Sequence, residues 1–465
     1  MLWYKNVRTV LKKQPEVWLA YLYGQQIDNF KPLLKFKPKV QSVIARLCLF
    51  VYYMLRRVRL TSGVRFSSHD ADVKTYFFYA GSSNQIASLH STLSALKKKN
   101  QCVIAITKPN LIIDGDVDRL YQGYRFSVLD ALRAVFLLVL RAPALCHDLR
   151  QINSAASKSF LNKFCDVYLY LPFFFKVLKK VNPSFVVVAN DHNVANRCLL
   201  AVSHYLDIKT VYLQHASVSE LFPALRVNYA FLDGKSAYDT YKLCAGNIYH
   251  LDVDSPRPTI FLSGQKKCLR RFDHEKADYI GVAVNKLDPV DKVLGLIREL
   301  RLSGFSVYLR YHPGQQVEDV DRYLAAAAGD NKIKVSDPKS NDLSSYFSQL
   351  SHLIAGNSSI HLEAALVGVV VIYYEFEEAD MPDYYGYVAN GLAFHASGVN
   401  EVISTIRHAA RGYKSLNPEA VRFYSHTYDT EWQGREGELV ADILLKINKS
   451  VSPKEVFGYV SSTYT

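Results

Sequence analysis

Short apolar runs alternate with amphipathic segments between about residue 73 and residue 375, and this pattern predicts strands that alternate with helices. The pattern begins with a predicted strand over 73–79, a polar turn, a helix over 85–98 and a strand over 102–107. The wholly apolar run over 185–189 is typical of the centre of a parallel sheet. The chain therefore predicts an α/β fold built from βαβ units.

Polar residues follow three predicted strands in the first half of the chain. The strand over 185–189 is followed by Asp191 and a helix over 194–205, and strands over 210–213 and 229–232 end at His215 and Asp233. Two helical regions between the early and late strands contain proline. Because proline removes a helix N–H donor, we expect a break at Pro143 within 126–150 and another at Pro172 within 160–181.

A second series of strands and helices begins after a polar segment over 252–265 that contains Pro256 and Pro258, which we interpret as a linker. The predicted strands of this series lie over 279–284, 305–311, 333–335, 352–355 and 369–374, and its helices over 290–303, 317–328, 343–350 and 360–367. At 465 residues the chain is too long for one hydrophobic core.

We therefore expect four segments along the chain. They are a basic helical N-terminal extension (1–70), a Rossmann-like acceptor domain (71–255), a Rossmann-like donor domain (256–440) and a C-terminal tail (441–465). Ligands of parallel sheets bind at the carboxyl ends of the strands, so the two domains are expected to face each other across a cleft.

Charge and cysteine usage narrow the class of protein. The formal net charge is +13 and the isoelectric point is about 9.1, which favours an anionic partner or an anionic membrane surface. Seven cysteines are scattered singly and no signal peptide is recognisable, so a reduced cytoplasmic setting is expected, with no structural metal. The sequence has no G-x-G-x-x-G and no P-loop, which disfavours a nicotinamide dehydrogenase and a P-loop ATPase.

Two apolar runs have basic flanks. The run over 47–55 is nine residues long, too short to span a bilayer, and lies between Arg46 and Arg56. A second run over 134–140 lies between Arg133 and Arg141. Each is consistent with an interfacial helix on an anionic membrane or with a buried helix whose basic end is solvated.

The most informative motifs end two strands in the second half. His312 precedes Pro313 at the end of one strand, and Asn357, Ser358 and Ser359 join another strand to a helix. Hydroxyls and free N–H groups at a helix start suit a phosphate, and a neighbouring histidine adds a donor. The same residues also fit a plain strand end and a helix N-cap.

Other polar residues are candidates for donor binding, catalysis and acceptor binding. Glu363 either accepts hydrogen bonds from the ribose hydroxyls of the donor or is an exposed helical residue. Arg310 either contacts the donor or is a charged residue at the edge of the sheet. Asp191, His215 and Asp233 are alternative general bases at three successive strand ends. The acceptor candidates are Lys235 and the turn residues Gly81, Ser82 and Ser83.

The His-Pro and Ser-Ser motifs resemble those of bacterial sialyltransferases and polysialyltransferases, of Kdo transferases, and of CDP-glycerol-dependent teichoic acid polymerases. Gln214-His215-Ala216 is similar to the Gln-His-Gly turn of such enzymes, with alanine in place of glycine. The resemblance covers roughly residues 185–375. It implies a GT-B fold and implies that His312, Ser358 and Ser359 hold the phosphate of a CMP or CDP donor.

The resemblance also implies an enzyme that needs no metal or cofactor, transfers Kdo or sialic acid from a CMP-activated donor to a capsule or lipopolysaccharide hydroxyl, and lies at the inner membrane face. A CDP-glycerol-type phosphotransferase, a nucleotide-sugar epimerase of similar fold and a non-catalytic polyanion-binding protein remain alternatives. No recognisable nucleic-acid-binding module is found, so nucleic acid is not an expected partner.

Overall fold

A computed structural model describes residues 2–20, 41–58, 74–108, 111, 113, 117–124, 126–220, 222–246, 256–266, 279–377, 382–410 and 416–461. The chain divides into two compact units. The first contains residues 1–267 and 435–465, and the second contains residues 268–434. Within the described ranges, no helix has both the length and the apolar character needed to cross a bilayer.

The secondary structure alternates through most of the chain. The helices are α1 (Leu2–Lys13), α2 (Glu16–Leu19), α3 (Val43–Arg57), α4 (Ser83–Lys98), α5 (Val128–Ser159), α6 (Leu161–Phe164), α7 (Val167–Val181), α8 (Val194–Tyr205), α9 (Lys235–Cys244), α10 (Val290–Leu302), α11 (Val317–Ala328), α12 (Leu343–Phe347), α13 (Ile360–Leu366), α14 (Val399–Ala410), α15 (Pro418–Tyr424) and α16 (Glu436–Asn448). The strands are β1 (Thr75–Ala80), β2 (Cys102–Thr107), β3 (Arg119–Gln122), β4 (Phe185–Val188), β5 (Lys209–Leu213), β6 (Tyr229–Leu232), β7 (Thr259–Leu262), β8 (Tyr279–Ala283), β9 (Ser306–Arg310), β10 (Ile333–Ser336), β11 (Leu350–Ala355), β12 (Val370–Tyr374), β13 (Phe394–Ala396) and β14 (Tyr459–Ser461).

The first unit is built on a sheet with the strand order β14-β7-β6-β5-β4-β1-β2-β3. All neighbouring strands are parallel except β14, which is antiparallel to β7. The central strands β1 and β4 are buried along their whole length. Because both faces of these strands are covered, the residues are apolar without alternation, which confirms the predicted parallel α/β fold.

The N-terminal helices pack into the first unit. Val7, Val10 and Leu11 of α1 belong to its core, and Glu16 of α2 accepts two hydrogen bonds from Arg141 of α5, at 2.7 and 3.0 Å. Glu16 is buried, so the bidentate guanidinium contact offsets the cost of removing its charge from water.

Two predicted helix breaks are wrong. Helix α5 continues through Pro143 and helix α7 through Pro172. Proline 143 leaves the carbonyl of Val139 without its helical donor, and Val139 is 70% exposed, so water can replace that hydrogen bond. The irregular residue of α5 is instead Asn153, with φ −157° and ψ 104°.

The predicted linker over 252–265 contains strand β7, which pairs in parallel with β6 and belongs to the first sheet. The linker prediction is therefore wrong over these residues, while 252–255 lie outside the described residues. The predicted start of the first strand at Val73 also lies outside them.

The second unit is built on a parallel sheet with the order β10-β9-β8-β11-β12-β13. Its two apolar clusters lie on either side of the sheet. One contains Leu353, Leu362 and Val371, and the other contains Val282, Leu296 and Ile354. The successive residues Leu353 and Ile354 belong to different clusters because side chains alternate between the faces of a strand.

Candidate functional site

The strand order of the second unit reverses direction between β8 and β11. The chain runs outward from β8 through β9 to β10, then returns to β11 on the other side of β8. The helices that follow the two central strands therefore leave on opposite faces and open a crevice at the carboxyl edge, where parallel sheets bind ligands. The turns after β8, β9 and β11 all lie at this edge.

His312 lies two residues beyond β9 in an exposed turn. Its Nδ1 accepts a hydrogen bond from the N–H of Gly314 at 2.9 Å. Burial lowers the pKa of His312, and the positive charge of Lys286 lowers it further. In the neutral imidazole the proton is therefore on Nε2, which makes Nε2–H the hydrogen-bond donor that the ring can offer to a ligand.

The Ser-Ser turn follows β11 at the same edge. Ser358 Oγ accepts from the N–H of Ile360 at 3.4 Å, and Asn357 Oδ1 accepts from the N–H of Tyr384 at 2.8 Å. Ser359 is the N-cap residue of α13, but its hydroxyl makes no capping hydrogen bond. The serines are half-buried. Since β9 and β11 both pair with β8, the two turns are separated by two strand spacings, about 10 Å.

His361 was not predicted as a site residue, although it belongs to the same sequence segment. Its side chain is fully buried, and Nε2–H donates to the carbonyls of Ala355 and Gly356 at 3.2 and 3.0 Å. Burial lowers the pKa of His361 to about 4, so the ring is neutral at pH 7. The neutral ring fixes the end of β11 and thereby positions the Ser-Ser turn.

Arg310 and Glu363 are both buried beside this edge. Arg310 Nη1 donates to Ser336 Oγ at 2.6 Å and to the carbonyl of Asn341 at 3.0 Å, and its guanidinium lies over the Tyr346 ring. Burial lowers the pKa of Arg310, and the nearby negative charge of Glu363 counters this effect. These contacts favour a supporting role for Arg310 behind the two turns.

Asp288 and Lys286 in the turn after β8 were also not predicted. Asp288 Oδ2 accepts from the N–H of Asn285 at 2.8 Å, and Asp288 Oδ1 lies 3.9 Å from the position that a Cβ on Gly356 would occupy. Burial raises the pKa of Asp288 to about 6. This turn comes from β8, between the strands that carry His312 and Ser358. Its sequence has no motif, so only the strand order reveals it.

The first unit has the same kind of reversal, between β1 and β4. Asp191 follows β4 and is buried, with its Oδ1 3.2 Å from His192 Nδ1. His192 Nε2 lies 3.1 Å from Asn190 Nδ2. These contacts fit a neutral histidine that donates from Nδ1 to the carboxylate and accepts at Nε2 from the amide. His192 therefore orients Asp191 and was missed because histidine next to aspartate has no distinctive spacing.

His215 and Asp233 follow the next two strands of the first sheet. His215 is half-buried, whereas Asp233 is buried and accepts a 2.9 Å hydrogen bond from the buried ammonium of Lys266. Gln214 joins the two strand ends, because its Oε1 accepts from the N–H of Asp233 at 2.8 Å. The strand order brings Asp191, His215 and Asp233 to one sheet edge, but the ion pair favours a structural role for Asp233.

The acceptor candidates separate into two environments. Gly81 is buried after β1, and its N–H donates to Gln85 Oε1 at 2.7 Å. Ser82 caps α4 through Gln85, while Ser83 is exposed. Lys235 lies on the exposed side of α9, where its ammonium pairs with Asp239 at 2.8 Å.

No family model matches this sequence, and no curated protein matches it. Solved structures do resemble it in fold. A Listeria monocytogenes protein assigned as a UDP-N-acetylglucosamine 2-epimerase has a TM-score of 0.56 and 12% identity over 84% of this chain and 100% of its own. The S. aureus MnaA complex with UDP has a TM-score of 0.51 and 11% identity over the same shares.

A further UDP-N-acetylglucosamine 2-epimerase has a TM-score of 0.53 and 12% identity, again over 84% of this chain and 100% of its own. At such low identity the likeness concerns the fold alone. Each unit of this chain is a sheet with one reversal of strand order, wholly parallel in the second unit and parallel except for β14 in the first. The chain therefore has an α/β fold of the GT-B type, with two Rossmann-like units.

Proposed function

We propose that the chain is a glycosyltransferase that takes its sugar from a nucleotide-activated donor held by the second unit. The observation that carries this proposal is the donor geometry of His312, whose Nδ1 is occupied by the N–H of Gly314. Its Nε2–H and the hydroxyls of Ser358 and Ser359 belong to turns about 10 Å apart, a span suited to a phosphate-bearing ligand.

In this proposal the bond between the anomeric carbon and a phosphate oxygen breaks, and an acceptor hydroxyl forms the new bond to that carbon. Negative charge grows on the leaving phosphate, and Nε2–H of His312 stabilises it. The acceptor proton passes to a base of the first unit. Asp191 is the first candidate because His192 holds its carboxylate, and His215 is the second.

The proposed donor is a CMP-activated ulosonic acid, Kdo or sialic acid, on the resemblance of the His-Pro and Ser-Ser motifs. CDP-glycerol is the alternative within that resemblance. The S. aureus protein of similar fold binds UDP, which makes UDP sugars a third donor class to test. Asp288 is proposed to contact the donor beside Gly356, since it lies at the reversal of strand order.

The test is a titration of the full chain with CMP, CDP and UDP, followed by turnover assays with the sugar or glycerol conjugate of the nucleotide that binds. His312→Ala is expected to lower turnover by about 10²-fold through loss of one charge-stabilising donor. His408→Ala is the matched control, because His408 is an exposed histidine of the same unit. Equal activity of both variants would contradict the proposed role of His312.

The same experiments separate the other classes. An epimerase converts its nucleotide sugar without an acceptor, so product analysis without acceptor identifies it. A non-catalytic polyanion-binding protein would bind nucleic acid in a salt-sensitive manner that His312→Ala leaves unchanged. Either result would replace the transferase proposal.

We also propose that the first unit binds an anionic membrane surface through α3 and α5. Ile44, Tyr52 and Leu55 of α3 are 74, 53 and 61% exposed, at positions that share one helical face. Leu132 and Val139 of α5 are 62 and 70% exposed, and they lie two turns apart on one face. Exposed apolar faces next to arginines are typical of interfacial helices.

Vesicle flotation tests the membrane proposal. Leu55→Asp and Leu132→Asp are each expected to reduce binding to phosphatidylglycerol vesicles at least several-fold, because a charge on the apolar face opposes insertion. Leu302→Asp is the control, since Leu302 is a 75% exposed leucine of α10 in the other unit. Binding that all three substitutions leave unchanged would contradict the assignment of these helices.

A further inference from the structure

Lysine 108 lies against the turn that follows β1. It comes directly after β2, and its N–H donates to the carbonyl of Ala80 at 3.2 Å. A Cβ placed on Gly81 would be 3.6 Å from Lys108 Cε and 3.5 Å from the Tyr79 hydroxyl. The exposed Lys108 side chain therefore extends across the carboxyl edge of the first sheet, beside the predicted acceptor turn.

Arg57 and Lys163 bring two further cations to this edge. Arg57 is the last residue of α3, and Val58 after it forms a parallel bridge with Phe126. Lys163 is an exposed residue of α6. Burial lowers the pKa of Lys108, and the positive charges of Lys163 and Arg57 lower it further.

One carboxylate among the described residues faces this cluster. Asp166 Oδ1 accepts from Arg57 Nη1 at 3.0 Å, and the Asp166 N–H donates to the carbonyl of Lys163 at 3.2 Å. Burial raises the pKa of Asp166, while Arg57 and Lys163 counter this. The Asp166 carboxylate offsets one of the three positive charges. Arg57 is connected to the Lys108 side of the cluster by the Val58–Phe126 bridge, by the stacked rings of Phe126 and Tyr124, and by the hydrogen bond between the Tyr124 and Tyr79 hydroxyls.

We infer that Arg57, Lys108 and Lys163 form an anion site that takes the phosphate or pyrophosphate group of the acceptor. The inference rests on the proposed function for the presence of an acceptor. The side chains carry the site, because the N–H groups of Gly81 and Gln85 are already bound by Gln85 Oε1 and Ser82 Oγ. Fixed cations that repel each other are relieved when a polyanionic group binds between them.

The position of Arg57 indicates how such a group would reach the site. Arg57 ends the helix whose exposed face, with Tyr52 and Leu55, is proposed to lie on the membrane. A phosphate at the headgroup level of a lipid-linked molecule would therefore meet the basic end of α3. The donor phosphate has its own proposed site in the second unit, so the two anion sites belong to different substrates.

The experiment measures binding of inorganic pyrophosphate to the full chain by calorimetry, and of vesicles with and without phosphatidylglycerol by flotation. Lys108→Gln and Lys163→Gln each remove one charge from an exposed side chain and leave the Arg57–Asp166 pair intact. Lys98→Gln is the matched control, because Lys98 ends the helix that begins beside Gly81 and lies roughly 22 Å away along it.

Both lysine substitutions are expected to weaken pyrophosphate binding by about 10-fold, the effect of one charge-assisted hydrogen bond, and Lys108→Arg to restore it. If the lysine variants lose vesicle binding and the parent chain binds no pyrophosphate, the site is supported and its anion is a lipid headgroup. If the lysine variants lose pyrophosphate binding alone, the site is supported and its anion is a free phosphate group. Neither loss, or an equal loss in Lys98→Gln, overturns the inference.

The result is independent of the donor site. Binding of the cognate nucleotide is expected to be unchanged in Lys108→Gln and Lys163→Gln, and pyrophosphate binding to this cluster unchanged in His312→Ala. If no nucleotide binds but the lysine variants lose pyrophosphate binding, the transferase proposal fails while the anion site stands. If nucleotide turnover is normal and the lysine variants bind pyrophosphate like the parent chain, only the anion site fails.

Discussion

A carboxylate at a strand end acts as a base only if it is not already neutralised by a fixed cation. Asp233 is paired with the buried ammonium of Lys266, which also donates to Ser263 Oγ and the carbonyl of Gly264. Asp191 has instead a histidine neighbour that can be neutral. These contacts separate two residues that the sequence alone leaves equivalent, because both follow an apolar strand.

We predict that Asp191→Asn abolishes sugar transfer and leaves nucleotide affinity nearly unchanged, because the amide cannot accept the acceptor proton. Turnover and nucleotide binding are measured on the same preparation. His215→Ala serves as the competing variant. If Asp191→Asn retains most of the activity and His215→Ala does not, His215 is the base.

We predict that Lys266→Met lowers the free energy of unfolding by about 3–5 kcal/mol, because it leaves the Asp233 carboxylate buried without its cation. Denaturant unfolding measures the loss. Lys235→Met is the control, since Lys235 belongs to an exposed pair with Asp239 and its loss is expected to cost about 1 kcal/mol or less. Equal losses would contradict the burial argument.

At the scale of elements, helices and strands with strong periodicity were predictable from the sequence. The helices over 194–205 and 317–328 and the strands over 102–107 and 229–232 have the predicted bounds. The helix over 235–244 was missed because its segment is short and mixed in polarity. Strand β7 was missed because its four residues lie in the segment interpreted as a linker. Helix α5 was predicted as two helices because the sequence does not show that the helix continues through Pro143.

Helix α16 returns to the first unit and packs against α4, which sequence patterns do not indicate because no local signal encodes a distant partner. Gly437 allows the contact. A Cβ there would lie 2.3 Å from the backbone carbon of Ser91 and 2.6 Å from its carbonyl oxygen. Helix backbone cannot move away as a flexible side chain can, so the close approach requires glycine.

We predict that Gly437→Ala destabilises the first unit by about 2 kcal/mol or more, because the methyl group overpacks the α4–α16 contact. Hydrogen exchange of α4 and α16 amides measures the local loss. Gly434→Ala is not a suitable control because its φ is +77°, whereas Gly295→Ala is, since a Cβ there meets nothing within 4 Å. Unchanged protection of α16 in Gly437→Ala would contradict the packing argument.

At the scale of the whole molecule, the candidate donor site follows from strand order more than from any motif. His312 and Ser358 were found as strand-end residues, but their proximity depends on β9 and β11 being on either side of β8. Asp288 belongs to the site only because β8 lies between them. The sequence predicts that such strands are parallel, and it does not specify which strand lies next to which.

The buried histidines of both units are expected to make stability depend on pH. Burial lowers the pKa of His204 in the first unit, and of His352 and His361 in the second, to about 4. The unfolded chain binds protons at these histidines near pH 6.5, whereas the folded chain does not until about pH 4. Stability is therefore full above pH 6.5 and is lost as the pH falls toward 4.

Asp288 has the opposite effect, because its folded pKa is raised to about 6 and its contribution is lost as the pH rises from about 4 to 6. In the second unit Asp288 opposes His352 and His361, and burial also lowers the pKa of His312 and His426 there. In the first unit Asp166, whose pKa burial raises, opposes His204. We predict that both units lose stability on acidification from pH 7 to 5, by at most roughly 1.4 kcal/mol per histidine per pH unit. Hydrogen exchange in the two sheets measures each unit separately, with His352→Gln expected to flatten the slope of the second alone. If the stability of the second unit stays constant from pH 7 to 5 in both the parent chain and Asp288→Asn, its histidines are protonated in the folded state as they are in the unfolded chain. That result would contradict the prediction.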